Sequence, residues 1–145
     1  MISRDPYTYC AAEVRRFDYD RYLAALFAPI DRRGALMALY AFNLEIAKVR
    51  EVVSEPLIGR IRLQWWRERM DDIFAGRPPK HEIATALAES VVRHGVSRRH
   101  FDRLMDAREA DLSDSPPADV AALEAYVEGV SSALVGRSLE VRGVP

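Results

Sequence analysis

An all-α protein, a bundle of about six or seven helices, is predicted by three features of the sequence. Apolar residues recur at spacings of three and four through most of the chain, alternation with a period of two is nearly absent, and Pro, Gly, Ser and Asp punctuate the periodic stretches. The 145 residues are enough to bury one core, so residues 1–145 are expected to form a single domain.

A first helical stretch covers 7–17, and Asp18 or Asp20 can cap a second that ends at Ala28 and Pro29. Asp31 is of the right type to cap a long helix over 32–53, which Ser54, Glu55 and Pro56 stop. The next helix, 57–75, has Gly76 just beyond its end and Pro78 and Pro79 after that. Helices over 82–94 and 98–111 follow, separated by Gly95 and a capping Ser97. A loop holding Pro116 and Pro117 leads to a last helix over 120–141, closed by Gly143.

In the long helix Ala35, Leu39, Phe42, Ile46, Val49 and Val53 form a sustained core stripe. Beside it run Leu36, Tyr40, Asn43, Ala47 and Arg50, whose polar members sit at the margin of the core and either line a cavity between helices or reach solvent. The following helix places Leu63, Trp66, Met70 and Ile73 at core spacing. Trp65 and Trp66 diverge by about 100°, so they pack against different neighbours and one lies near a groove or interface. Arg60, Arg62, Arg67 and Arg69 can grip a diphosphate through forked bonds or pair with Glu45, Glu51, Glu55 or Glu68; the pairing is the more common use. Asp71 and Asp72 are expected to be a solvated charged pair, and Asp111 to organise a helix end.

Composition narrows the function classes. Nearly half of the residues are apolar and 30% are charged, which is the make-up of a folded chain. The longest apolar run, 35–42, is too short to cross a bilayer. A net charge of −1 with interleaved signs argues against nucleic acid as a partner. The single cysteine, Cys10, forms no internal disulfide, and His81, His94 and His100 lack zinc-site spacing; capping or solvent exposure is expected for these histidines. Residues 1–6 show no signal or transit pattern, so a cytoplasmic protein, free or peripheral to a membrane, is expected. Ser131 and Ser132 form no nucleophile elbow, and the glycines form no phosphate loop.

The stretch Ala41-Phe42-Asn43-Leu44-Glu45-Ile46-Ala47-Lys48-Val49-Arg50-Glu51 resembles a catalytic helix of the squalene/phytoene synthase family, which reads roughly Ala-Phe-Cys-Arg-x-x-Asp-Asp-x-x-Asp. The segments at 20–29, 33–51, 59–67, 107–112 and 126–143 are similar to successive pieces of the same family, so the resemblance spans essentially the whole chain but only the N-terminal half of a full-length member. Asn43, Glu45, Ile46 and Ala47, together with Arg62-Leu63-Gln64-Trp65-Trp66-Arg67, look most like the branch that contains the mitochondrial complex I assembly factor and its bacterial relatives.

The resemblance implies an isoprenoid-synthase-like helical bundle around a central cavity. In the family the three aspartates hold Mg²⁺ against a prenyl diphosphate; here those positions are Ala47, Lys48 and Glu51. Ala47 offers no ligand and Lys48 repels a metal, so no catalytic residue, no metal site and no cofactor are expected, with Mg²⁺ required only if the chain is a fragment of a head-to-head prenyl transferase. Tyr40, Asn43, Arg50, Arg62 and Trp66 are the candidates to line the cavity or to bind diphosphate or a partner. The expected function is a catalytically silent domain that binds a protein or prenyl-lipid partner, as in complex I assembly. A half-length chain also leaves inner helix faces without their usual cover, and a homo-oligomer is predicted. Light scattering at micromolar concentration is expected to give a mass above that of one chain; a monodisperse monomer counts against it.

Overall fold

The computed structural model describes residues 5–52, 55–77, 80–112 and 118–128, and for 50–52 the backbone alone. Among the described residues the chain forms α-helices and no strand: α1 Pro6–Phe17, α2 Tyr19–Leu26, α3 Ile30–Val52, α4 Pro56–Phe74, α5 Glu82–His94, α6 Arg98–Ala110 and α7 Val120–Val127. The expected Val53, Ser131, Ser132, Gly136 and the far part of the last helix lie outside the described residues.

α3 is the axis of the bundle, with α1, α2, α4, α5 and α6 packed around it. The predicted stripe from Ala35 to Val49 is buried, but Met37, Ala38 and Ala41 are buried as well. A helix enclosed on several sides has no solvent face to keep polar, and small residues let its neighbours come close. Gly34 shows how close: a Cβ there would lie 2.9 Å from the Tyr7 ring of α1.

Several helix starts follow the sequence, and two do not. Asp18, not Asp20, caps α2 by accepting the Arg21 N–H, and it also pairs with the Arg21 guanidinium at 2.6 Å. α3 begins at Ile30, with the Arg32 N–H bonded to the Pro29 carbonyl, so Asp31 lies in the first turn, where its charge suits the helix dipole, and is not the cap. Ser97 stands at the α6 N-cap without a side-chain capping bond. Pro56 opens α4, and Gly76 (φ 76°) and Gly95 (φ 65°) take the left-handed conformation that ends α4 and α5.

An aromatic seam joins α3, α4 and α6. Phe42 meets Trp66 edge-on at 5.2 Å and Phe101 at 5.5 Å, and Phe101 meets Phe74 at 6.2 Å. Trp66 is buried while Trp65 is 38% exposed, the divergence that adjacent helical positions require. The arginines of α4 pair largely with acids other than those expected: Arg67 with Asp106 and Glu109 of α6, and Arg69 with Asp72 as well as Glu68. Asp71 binds Arg98, so Asp71 and Asp72 are engaged and not merely solvated. Asp111 does organise a helix end, accepting bonds from Arg108 and from the Tyr126 hydroxyl of α7. His81 caps α5 by accepting the Ala84 N–H on Nδ1, whereas His100 is buried and not exposed. Cys10 is sealed between helices, and burial pushes its thiol up to about 12.

Because Phe42 contacts two other helices through its ring, Phe42→Ala is expected to cost about 3–5 kcal/mol of stability, measured as a shift in the urea midpoint with little change in slope.

Candidate functional site

The stretch of α3 that should carry metal ligands faces in more than one direction. Lys48 turns toward α1: its ammonium lies 3.8 Å from the centroid of the Phe17 ring and 3.9 Å from a Glu13 carboxylate oxygen. Arg16 approaches the same ring at 4.9 Å, so Phe17 is flanked by two cations. Ala47 is half-buried, and the side chains of Arg50 and Glu51 lie outside the described residues.

Mg²⁺ does not fit the groups present. Ala47 has no donor atom, and Lys48 places a positive charge where a ligand is needed. Among the described residues no group of three or more His, Cys, Asp or Glu could hold a metal ion.

Two of the cavity candidates meet elsewhere. Arg62 and Trp66 of α4 line a pocket of about 200 Å³ with Trp65, with Glu45 and Val49 of α3, and with His81. Helical spacing builds it: Glu45 and Val49 are four apart on α3, and Arg62, Trp65 and Trp66 share one side of α4. His81 is fixed by its capping bond and packs edge-on against Trp65 at 5.4 Å and Trp66 at 5.3 Å. Since Nδ1 accepts that bond, the neutral ring carries its proton on Nε2. The pocket thus offers a guanidinium, a carboxylate, an imidazole and two indole walls. That suits one polar side chain or a small anion, and it is smaller than the 300–1,000 Å³ or so of a site for a drug-sized ligand.

Tyr40 and Asn43 are not among the pocket's walls. Tyr40 is half-buried against the core, and Asn43 is 6% exposed, its side-chain oxygen without a hydrogen-bond partner among the described residues. Such an orphaned acceptor costs about 1–3 kcal/mol. The sequence suggests Glu45 only as an ion-pair partner and His81 only as a cap or an exposed residue; that both wall one pocket depends on how α3, α4 and the α5 entry converge, which periodicity does not encode.

Residues 14–145 match the sequence model of the squalene/phytoene synthase family. The chain belongs to the squalene/phytoene synthase family. Its similar relatives include the rat protein named NADH dehydrogenase (ubiquinone) complex I, assembly factor 6, which is 39% identical over 97% of this chain and 42% of its own length. The human protein of that name is 37% identical over 94% of this chain and 41% of its own length. Maize phytoene synthase 3 is 27% identical over 93% of this chain and 32% of its own length. The chain therefore spans about two fifths of the assembly-factor relatives. The fold matches a crystal structure of a dehydrosqualene synthase in complex with ligand, with a TM-score of 0.83 at 18% identity, over 94% of this chain and 47% of that one.

Restoring Ala47→Asp and Lys48→Asp together is expected to create no Mg²⁺ site by titration calorimetry. Lys48→Asp turns its contact with Glu13 from attraction to repulsion and removes the cation from the Phe17 ring, so a loss of about 1–2 kcal/mol, partly recovered at high salt, is expected in thermal unfolding.

Proposed function

We propose that this chain is one domain of a catalytically silent member of the squalene/phytoene synthase family that binds a protein or prenyl-lipid partner during assembly of respiratory complex I. The observation that carries the reading is Lys48, whose ammonium is engaged with Glu13 and Phe17 at a position where the family's chemistry needs a carboxylate. The identity to assembly factor 6 proteins, higher than that to maize phytoene synthase 3, supports the same reading. Its site is the Arg62 and Trp66 pocket, with Tyr40 and Arg50 as further candidates for partner binding, and it needs no cofactor. We place the protein in the cytoplasm, free or peripheral to a membrane, as a homo-oligomer with no role in binding nucleic acid. Among the described residues no helix is long and apolar enough to cross a membrane.

A head-to-head prenyl transferase, present here as a fragment, is the second reading, favoured by the dehydrosqualene synthase fold and the phytoene synthase relative. It requires Mg²⁺ and a carboxylate set supplied from elsewhere. The full-length protein incubated with Mg²⁺ and farnesyl or geranylgeranyl diphosphate is expected to give no coupled product, while deletion of the gene is expected to lower assembled complex I on native gels. Mg²⁺-dependent coupling with normal complex I overturns the proposal in favour of the transferase.

A further inference from the structure

The pocket between α3, α4 and the α5 entry holds charges of opposite sign that do not pair with one another. Glu45 and Arg62 both line its 200 Å³ or so, and neither is in an ion pair among the described residues. Just outside the lining, Arg69 lies over the Trp65 ring at 5.2 Å and Glu82 follows His81 in the chain, which adds one charge of each sign. The surroundings are therefore neutral in sum while offering an acceptor and a donor. His81 supplies a second donor: its Nδ1 is taken by the Ala84 N–H, which leaves the Nε2–H of the neutral ring for a guest. Trp65 and Trp66 meet at 88°, so two flat indoles form a corner of the wall.

We propose that this pocket takes the carboxamide of a glutamine or asparagine side chain presented by a protein partner. The amide oxygen accepts from Arg62 and His81, the amide NH2 donates to Glu45, and the flat group lies against an indole. Ions are selected against. A carboxylate gains Arg62 but is set against Glu45, an ammonium meets the reverse, and either gives up the hydration of a full charge in a partly buried site. Arg69 already holds the cation–π position on Trp65, which weakens the pull of that indole on a second cation. The assignment rests on the Arg62 and Trp66 pocket being where a partner binds, and it names the side chain that the pocket selects.

The test uses three congeners of one size, propionamide, propionate and propylammonium, with β-alanine as a zwitterion, titrated at constant ionic strength into the full chain while the indole N–H signals of Trp65 and Trp66 are followed by NMR. Propionamide is expected to bind in the millimolar range and each ion about tenfold more weakly. Glu45→Gln should turn the preference to propionate and Arg62→Gln to propylammonium, whereas Arg60→Gln, outside the lining, should leave it unchanged. Circular dichroism establishes that each variant is folded. Tightest binding of propionate, propylammonium or β-alanine by the unaltered chain, no binding of propionamide, or a preference indifferent to Glu45→Gln and Arg62→Gln overturns the proposal. Complex I on native gels is scored apart: normal assembly with the doubly substituted protein, alongside amide-selective binding, refutes the assembly role and leaves the carboxamide site standing.

Discussion

The burial of α3 on nearly all sides is the constraint from which the rest of the structure follows. A central helix cannot present a continuous polar face, so its neighbours must be positioned by apolar shape: Tyr7 against Gly34, and Trp66 and Phe101 against Phe42. Edge-on aromatic contacts are directional, and they fix how α4 and α6 lean on the axis as well as how far away they stand. The ion pairs from Arg67 to Asp106 and Glu109 then run along a junction that the rings have already set. Partly exposed pairs of this kind add little energy.

The same constraint governs where Lys48 points. On an axial helix, positions a few residues apart project toward different neighbours, and Lys48 projects toward α1. A lysine there needs a ring and a carboxylate to accept its charge, and Phe17 and Glu13 provide them from a helix that has no reason of its own to meet a metal. Lys48 is part of the α1 and α3 contact, and placing a carboxylate there would have to undo that packing.

The helices and most of their ends were legible in the sequence because they depend on local rules. Gly76 and Gly95 mark stops through their backbone freedom, and Pro56 marks a start through its missing N–H. Asp31 misled because an acid in the first turn and an acid at the N-cap look alike in a sequence, and here Asp31 lies two residues beyond the cap. The core of α4 was legible at Leu63, Trp66, Met70 and Ile73, since one periodic face meets one neighbour. The candidate site was legible only in part. Arg62 and Trp66 come together, but their companions Glu45 and His81 arrive from α3 and from the turn before α5. Long-range convergence of that kind leaves no periodic trace. The burial of His100 was missed for a related reason: the polarity of an imidazole says little about whether a neighbouring helix covers it.

The sealed thiol of Cys10 has a practical consequence. With its ionisation pushed up to about 12, almost none of it is thiolate at neutral pH, and its side chain has no exposed surface. The chain holds no other cysteine. It is therefore a natural background for site-specific labelling: a single thiol introduced on any exposed helix face would outcompete Cys10 for maleimide by its exposure and by orders of magnitude in thiolate fraction, so spin labels or fluorophores can be placed without first removing a native residue from the core.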